Sequence, residues 1–208
     1  MAFPFLHESN FEVGSNAEWT SESDSATRLD FPHWTQTAGV GVLPFRGAYC
    51  MRVKLGSTTA AKVIDTDIDI ADATTRFARF YLYIGDDVAF TADDTLQIAE
   101  FTQAAGGTVE CAIGLRLTAA TNLIEIGIGD GTAPTDFSAE ALVRNRWYSV
   151  EARVAISTTG TGTLDLYING VNRVALTTLT NAAAVGDGTL GVIGSLTTTT
   201  GHLYFDAY

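Results

Sequence analysis

Asp65, Asp67 and Asp69 form the densest run of chemically capable side chains in this sequence, with carboxylates at every second position. On an extended strand they share one side at spacings of roughly 7 Å, while Ile64, Ile68 and Ile70 take the other. Such a row can hold a cation or act as an acid pair, but it is also what the wet face of an amphipathic strand looks like, and that plainer reading is favoured. The run begins like a calcium loop, yet Ile70 stands where that loop requires glycine and Arg76 where it requires a bidentate glutamate. His7, His33 and His202 are scattered and form no metal-ligand spacing with Cys50 or Cys111. Gly-x-Ser-x-Gly, His-Glu-x-x-His and the phosphate-loop pattern are missing. The glycine-rich run 127–131 leads into Thr-Ala-Pro, as a turn would, and not into a helix N-terminus. With no visible owner for catalysis, the expectation is that the chain is not an enzyme.

The elements that position these residues are strands. Apolar residues recur at every second position over residues 49–55, 62–70, 76–84, 96–101, 109–117 and 123–128, and again over 147–156, 164–168, 171–176, 190–193 and 203–208. That is the period of a half-buried strand and not of a helix. Asn169-Gly170 between two such runs predicts a hairpin with a type I′ turn, which needs positive φ at both central residues. Phe80, Leu82 and Ile84 share one face of their strand, and Phe77, Arg79, Tyr81 and Tyr83 the other, so that strand is either covered on both faces or presents a binding face. Short helical turns are expected over 138–145 and 182–185, and Thr/Gly-rich loop tips over 158–163 and 197–201. The expected fold is all-β: one domain over residues 1–208, a two-sheet antiparallel sandwich with residues 1–8 as a short N-terminal segment.

The chain has 208 residues, 12 Lys+Arg against 24 Asp+Glu and a net charge of -12, the opposite of the basic footprint that nucleic acid or an anionic membrane selects. Charged residues make up only 17% of it, which predicts a compact globule with a largely uncharged surface. Neither a run long and apolar enough to span a bilayer nor a secretion signal is visible. The two cysteines fall at sheet positions and are expected to be reduced, core-type thiols.

Residues 146–154, Arg-Trp-Tyr-Ser-Val-Glu-Ala-Arg-Val, a Thr/Gly tip, and residues 162–170, Gly-Thr-Leu-Asp-Leu-Tyr-Ile-Asn-Gly, together resemble the concanavalin A-like lectin/glucanase superfamily. Laminin-G-like domains carry a comparable Trp-led strand followed by such a hairpin. The match covers about thirty residues and implies a jelly roll, a fold that hosts lectins, polysaccharide hydrolases and lyases, adhesion modules and viral surface proteins. The Glu-x-Asp-x-x-Glu signature of the superfamily's hydrolases is missing. The opening residues 10–14, Asn-Phe-Glu-Val-Gly, and the closing residues 203–206, Leu-Tyr-Phe-Asp, look like the ends of jelly-roll modules whose first and last strands lie side by side around a calcium ion. Carried over, that resemblance makes Glu12 and Asp206 carboxylate ligands and Gly14 a carbonyl ligand; solvated strand-end acids are the plainer alternative.

Sugar binding needs aromatic platforms flanked by hydrogen-bonding groups. Trp19, Trp34, Tyr81, Tyr83 and Trp147 are the available rings, and His33-Trp34 beside Pro32 is the pair most expected to be exposed. The function favoured by the sequence is nevertheless a virion structural protein, a bacteriophage capsid decoration (cement) protein or another exterior module on the virion exterior. It would work through contacts with capsid or other virion proteins and through self-association into a homo-oligomer, with Phe3, Phe5 and Leu6 docking on a neighbouring subunit. The alternative is a carbohydrate-binding module or lectin, with Trp34, His33, Tyr81 and Tyr83 as its ligand contacts. A glycan-cleaving enzyme using Asp65, Asp67 or Asp69 ranks last.

Overall fold

The computed structural model describes residues 11–12, 14–15, 17, 19, 21–24, 28–37, 42–56, 61–65, 75–103, 107–119, 121–181, 185–193 and 199–207. In chain order the elements are β1 (Ser21–Asp24), β2 (Leu29–Asp30), the helical turn α1 (Trp34–Thr37), β3 (Met51–Lys54), β4 (Ala61–Asp65), β5 (Thr75–Ile84), β6 (Ala89–Phe90), β7 (Thr95–Gln103) and β8 (Val109–Leu117). There follow β9 (Ile124–Gly129), β10 (Asp136–Phe137), β11 (Trp147–Ala155), β12 (Ser157–Ile168), β13 (Val171–Asn181), β14 (Val185–Ile193), β15 (Thr199–Thr200) and β16 (His202–Ala207).

Two seven-stranded antiparallel sheets make a jelly-roll sandwich. The first runs β1-β4-β14-β7-β8-β9-β10 and the second β13-β12-β11-β5-β16-β3-β2, while β15 and β6 form a separate ladder. Alternation decides which side chains meet between the layers. From the second sheet come Leu82, Ile84, Val150, Leu164, Leu166 and Phe205, and from the first Ile98, Ile113, Leu115, Ile126 and Ile128, all in one buried cluster. Asn169 and Gly170 take φ 51 and 77, the left-handed geometry expected of the hairpin turn between β12 and β13.

Local expectations fail in three places. In the expected tip over 197–201, Thr199–Thr200 form β15, paired with β6. Residues 138–145 form no helix, because their backbone donors are claimed by strands: Leu142 donates to the Ile124 carbonyl and Asn145 to that of Ile84. The Thr/Gly tip over 158–163 is strand, with β12 running unbroken through it and Ser157 paired to Asn181 across register shifts. β-Branched threonines suit an extended edge as well as a loop. Residues 182–184 lie outside the described residues, and Val185 begins β14.

Glycines shape the outer side of the first sheet. A Cβ on Gly129 would lie 2.4 Å from the Ala133 carbonyl, and one on Gly127 would lie 2.6 Å from the Phe137 ring, so the bare backbone lets residues 133–135 lie directly on β9 and the Phe137 ring of the adjoining strand β10 cover Gly127.

Both cysteines are free and buried, but only Cys111, in β8, takes the expected sheet position; Cys50 lies in irregular chain just before β3. Burial, with the Asp206 charge adding to it, pushes the Cys50 thiol up to about 12, and burial alone raises Cys111. Thiolate, the reactive form, is therefore scarce at ordinary pH. A colorimetric thiol reagent at pH 8 is expected to find no rapidly reacting group in the folded protein and two after denaturation; a fast thiol in the native state would contradict this packing.

Candidate functional site

The sequence-predicted residues gather around one strap, residues 42–50, which crosses the outer face of the second sheet. Alternation along β5 puts Tyr81 and Tyr83 on that face, and cross-strand pairing sets Trp147 and Tyr204 beside Tyr83. Val42 and Cys50 close over them to make a small second core with Tyr83 and Tyr204, against which Trp147 packs. The Trp147 indole N–H donates to the Leu43 carbonyl at 2.8 Å. Phe45 stacks on Tyr81 with centroids 3.6 Å apart and planes 15° from parallel, and its edge meets Trp147 at 6.1 Å.

Two acids from opposite ends of the chain pin the strap. The Glu12 carboxylate accepts the Ala48 N–H at 3.0 and 2.9 Å, and Asp206 accepts the Arg46 N–H at 2.8 Å. Gly47, at φ +62, is required between them, because a Cβ there would lie 1.9 Å from a Glu12 oxygen. Burial pushes the Asp206 carboxyl up to about 7; the Arg46 N–H works against this and the Glu12 charge adds to it.

Glu12 and Asp206 therefore do converge, but across the strap and not as paired strands, since Glu12 sits in a turn and β16 is flanked by β5 and β3. Their hard oxygens are of the kind Ca²⁺ takes, and a cation would relieve the repulsion that Asp206 suffers. Gly14, the third ligand implied by the resemblance, packs against the Tyr49 ring. Among the described residues no three His, Cys, Asp or Glu side chains are placed to hold a metal ion together, so any further ligands would be backbone carbonyls and water.

The four proposed ligand contacts do not form one open platform. Tyr81 and Tyr83 are buried, Tyr81 beneath Phe45 and Tyr83 in the small second core. His33 bonds Thr35 through Nδ1 at 2.9 Å and lies edge-on to Tyr49, with Trp34 exposed beside it on α1. The ring that does face solvent on the strap, Phe45, was missed because it lies in a segment with no strand period. Phe3, Phe5 and Leu6 lie outside the described residues, as do Asp67 and Asp69; Asp65 ends β4, opposite Gly188.

A second group of chemically capable side chains lies on the outer face of the first sheet, and sequence reading passed over it. Glu100 pairs across β7 with Ala112 on one side and Thr189 on the other. Asp187 lies two residues along from Thr189 and is a diagonal neighbour of Glu100 at about 7–8 Å, while Glu110 falls in the β-bulge between the Phe101–Cys111 and Thr102–Val109 pairs, beyond Ala112 on the same strand. Glu110, Thr102, Asp187 and Thr189 are 4%, 9%, 6% and 6% exposed, which makes this a recessed polar row where a sandwich usually meets open water. The Gln103 amide donates to Glu110 and the Gln97 amide to Glu100, the latter at 3.1 Å. Arg116, nearby on β8, is held by Glu125 at 2.6 Å and lies over the Phe137 ring. Carboxylates sharing one face can protonate a leaving oxygen and activate an attacking group when their carboxyl groups lie roughly 5–10 Å apart. The three acids come from three different strands, so no local motif could have revealed them.

No family model and no curated protein matches the sequence. Among solved structures the chain is similar to an endo-β-1,4-glucuronan lyase from the fungus Trichoderma reesei, with a TM-score of 0.61 and 11% identity over 93% of this chain and 91% of that one. It is also similar to Cip1, a cellulose induced protein, with a TM-score of 0.61 and 12% identity over 95% and 93%. Alginate lyase Aly36B gives a TM-score of 0.56 and 13% identity over 88% and 96%. At these identities the likeness fixes the jelly-roll fold, as the resemblance implied. It also corrects the expectation that the chain is not an enzyme: two of the three sandwiches are polysaccharide lyases, so missing local motifs are no ground for excluding catalysis on this scaffold. None of these names speaks for a virion role.

Replacing Glu12 with Ala removes the acceptor of the Ala48 N–H. Amide exchange within residues 45–49 is expected to quicken by about tenfold or more, the equivalent of one lost buried hydrogen bond, with β5 and β11 unchanged. Unaltered exchange in the strap would show that Glu12 does not hold it.

Proposed function

We propose that this chain is a carbohydrate-active protein that binds a neutral polysaccharide across the outer face of the first sheet and cleaves it there. The observation that carries this reading is the recessed row of Glu100, Glu110, Asp187, Thr102 and Thr189 on the central strands. Amides, hydroxyls and carboxylates set side by side in a water-poor row suit the hydroxyl groups of a sugar chain. The solved sandwiches of similar fold include proteins named for acting on polysaccharides, which supports the same class.

Charge argues for a neutral substrate. A polyuronate brings one negative charge per sugar, and cleaving it by elimination requires that carboxylate to be neutralised. Among the described side chains of this face four are acids, Glu100, Glu110, Asp187 and Glu125, while the cation Arg116 is already engaged by Glu125. Repulsion would oppose a polyanion here. The acids are instead suited to glycosidic hydrolysis, with one protonating the leaving oxygen and another acting as nucleophile or base.

The test is a panel of xylan, galactomannan, hydroxyethyl cellulose, alginate and glucuronan, scored for retardation in affinity gels and for release of reducing ends. A neutral polymer is expected to bind and be cut, with Glu110→Gln lowering turnover by about a hundredfold or more while the protein still binds. Binding confined to the uronates, or no binding at all, would overturn the reading. Cleavage unaffected by Glu100→Gln, Glu110→Gln and Asp187→Asn would remove the acids from it.

We further propose a structural calcium ion held by the Glu12 and Asp206 carboxylates, supplying positive charge where two acids share a buried place. Removing it with a chelator should lower the melting temperature and adding calcium back should restore it, whereas Glu12→Gln should melt alike in both conditions. A wild-type melting temperature indifferent to chelator and to calcium rules the ion out.

A further inference from the structure

We infer that the outer face of the second sheet is a second carbohydrate contact, which takes sugar rings of the same neutral polymer on Phe45 and Phe77. This rests on the reading that the chain binds a neutral polysaccharide, and adds to it a site on the opposite side of the sandwich.

Phe45 and Phe77 are 43% and 54% exposed, both well open to solvent for aromatic side chains. They stand on one line. Phe45 sits on Tyr81, and Phe77 lies four residues back along the same face of β5, about 13 Å away at the rise of a strand. That is a distance a short run of linked sugar rings can span. Phe45 is pre-set for contact, with one ring face on Tyr81, its edge at Trp147 and the neighbouring Leu43 carbonyl fixed by the indole. A ligand stacking on it would not have to order a mobile side chain.

What lies between the rings chooses the occupant. Arg79 and Glu151, opposite each other on β5 and β11, are joined through the guanidinium, with Nε to carboxylate 2.7 Å. Beside Phe77, Arg153 bonds Asp165 at 2.8 Å and Thr163 at 3.2 Å. Ser149 lies opposite Tyr81, and Tyr167 opposite Glu151. Charged residues are depleted in the centre of a protein–protein interface, yet here ion pairs occupy the centre and the apolar area is split in two. A sugar chain has the matching alternation: ring faces of C–H groups for the phenyls, and hydroxyls for the fixed donors and acceptors between them. Each charge is neutralised by its neighbour, so the strip selects for hydrogen bonding and shape over net charge.

The experiment measures dissociation constants by affinity electrophoresis in the neutral polysaccharide that retards the wild type, chosen from xylan, galactomannan and hydroxyethyl cellulose. Phe77→Ala and Phe45→Leu are the variants; the second keeps an apolar cover on Tyr81 so that the strap stays seated, and thermal melts check that both fold. Each is expected to bind about two- to tenfold more weakly, the effect of one lost ring contact, and the double variant more weakly still. Wild-type affinity in both single variants overturns the second contact while leaving the first sheet's site standing. A wild type retarded by none of the three polymers overturns both. A change of oligomeric mass in Phe77→Ala with glycan affinity intact shows the strip to be a self-association surface and likewise overturns the inference.

Discussion

Strand β5 is buried on both faces over its second half, and much of the molecule follows from that. A strand in a two-layer sandwich normally turns one face to the core and one to water. Here Leu82 and Ile84 go to the core, and Tyr81 and Tyr83 go beneath residues 42–50. Tyrosine suits the second position because its ring can be covered while its hydroxyl finds a partner, as the Tyr83 hydroxyl does at Asn145. Covering the tyrosines brings a strap with no regular structure over a sheet, and its backbone N–H groups then need acceptors. Glu12 and Asp206 provide them, which is why acids from the two ends of the sequence meet in a buried place and why Asp206 is hard to ionise.

The first sheet meets a different demand. Bare backbone at Gly127 and Gly129 lets residues 133–135 and the Phe137 ring lie on its outer side, while polar residues on β7, β8 and β14 stay recessed beside them. Burying polar side chains in this way costs stability unless each finds a partner, and the Gln97–Glu100 and Gln103–Glu110 bonds supply some of that return. The two outer faces thus differ in chemistry. One is polar and acidic, suited to reaction; the other carries rings and neutralised ion pairs, suited to holding.

Period-2 alternation was legible along most of the chain, and 109–117 coincides with β8 residue for residue. The Asn169-Gly170 turn was equally plain, because few dipeptides accept positive φ twice. Segments without a period misled. Residues 138–145 look locally able to form a helical turn, but sheet carbonyls outcompete that arrangement; residues 158–163 look like a tip, but their partner strand β13 continues alongside. Glu12 and Asp206 could be named from their likeness to the ends of other modules, whereas the loop they hold could not.

Composition and alternation, which act between near neighbours in the chain, determined an all-β sandwich, its main hairpin, the buried Cys111 thiol and its acidic balance. Tertiary structure alone decided which acids become neighbours, which rings are covered and which stay open, because Glu100, Glu110 and Asp187 meet through strand register, and Phe45 reaches Tyr81 through a loop that carries no pattern. Register and loop path depend on contacts between residues far apart in sequence, and those contacts leave no local trace.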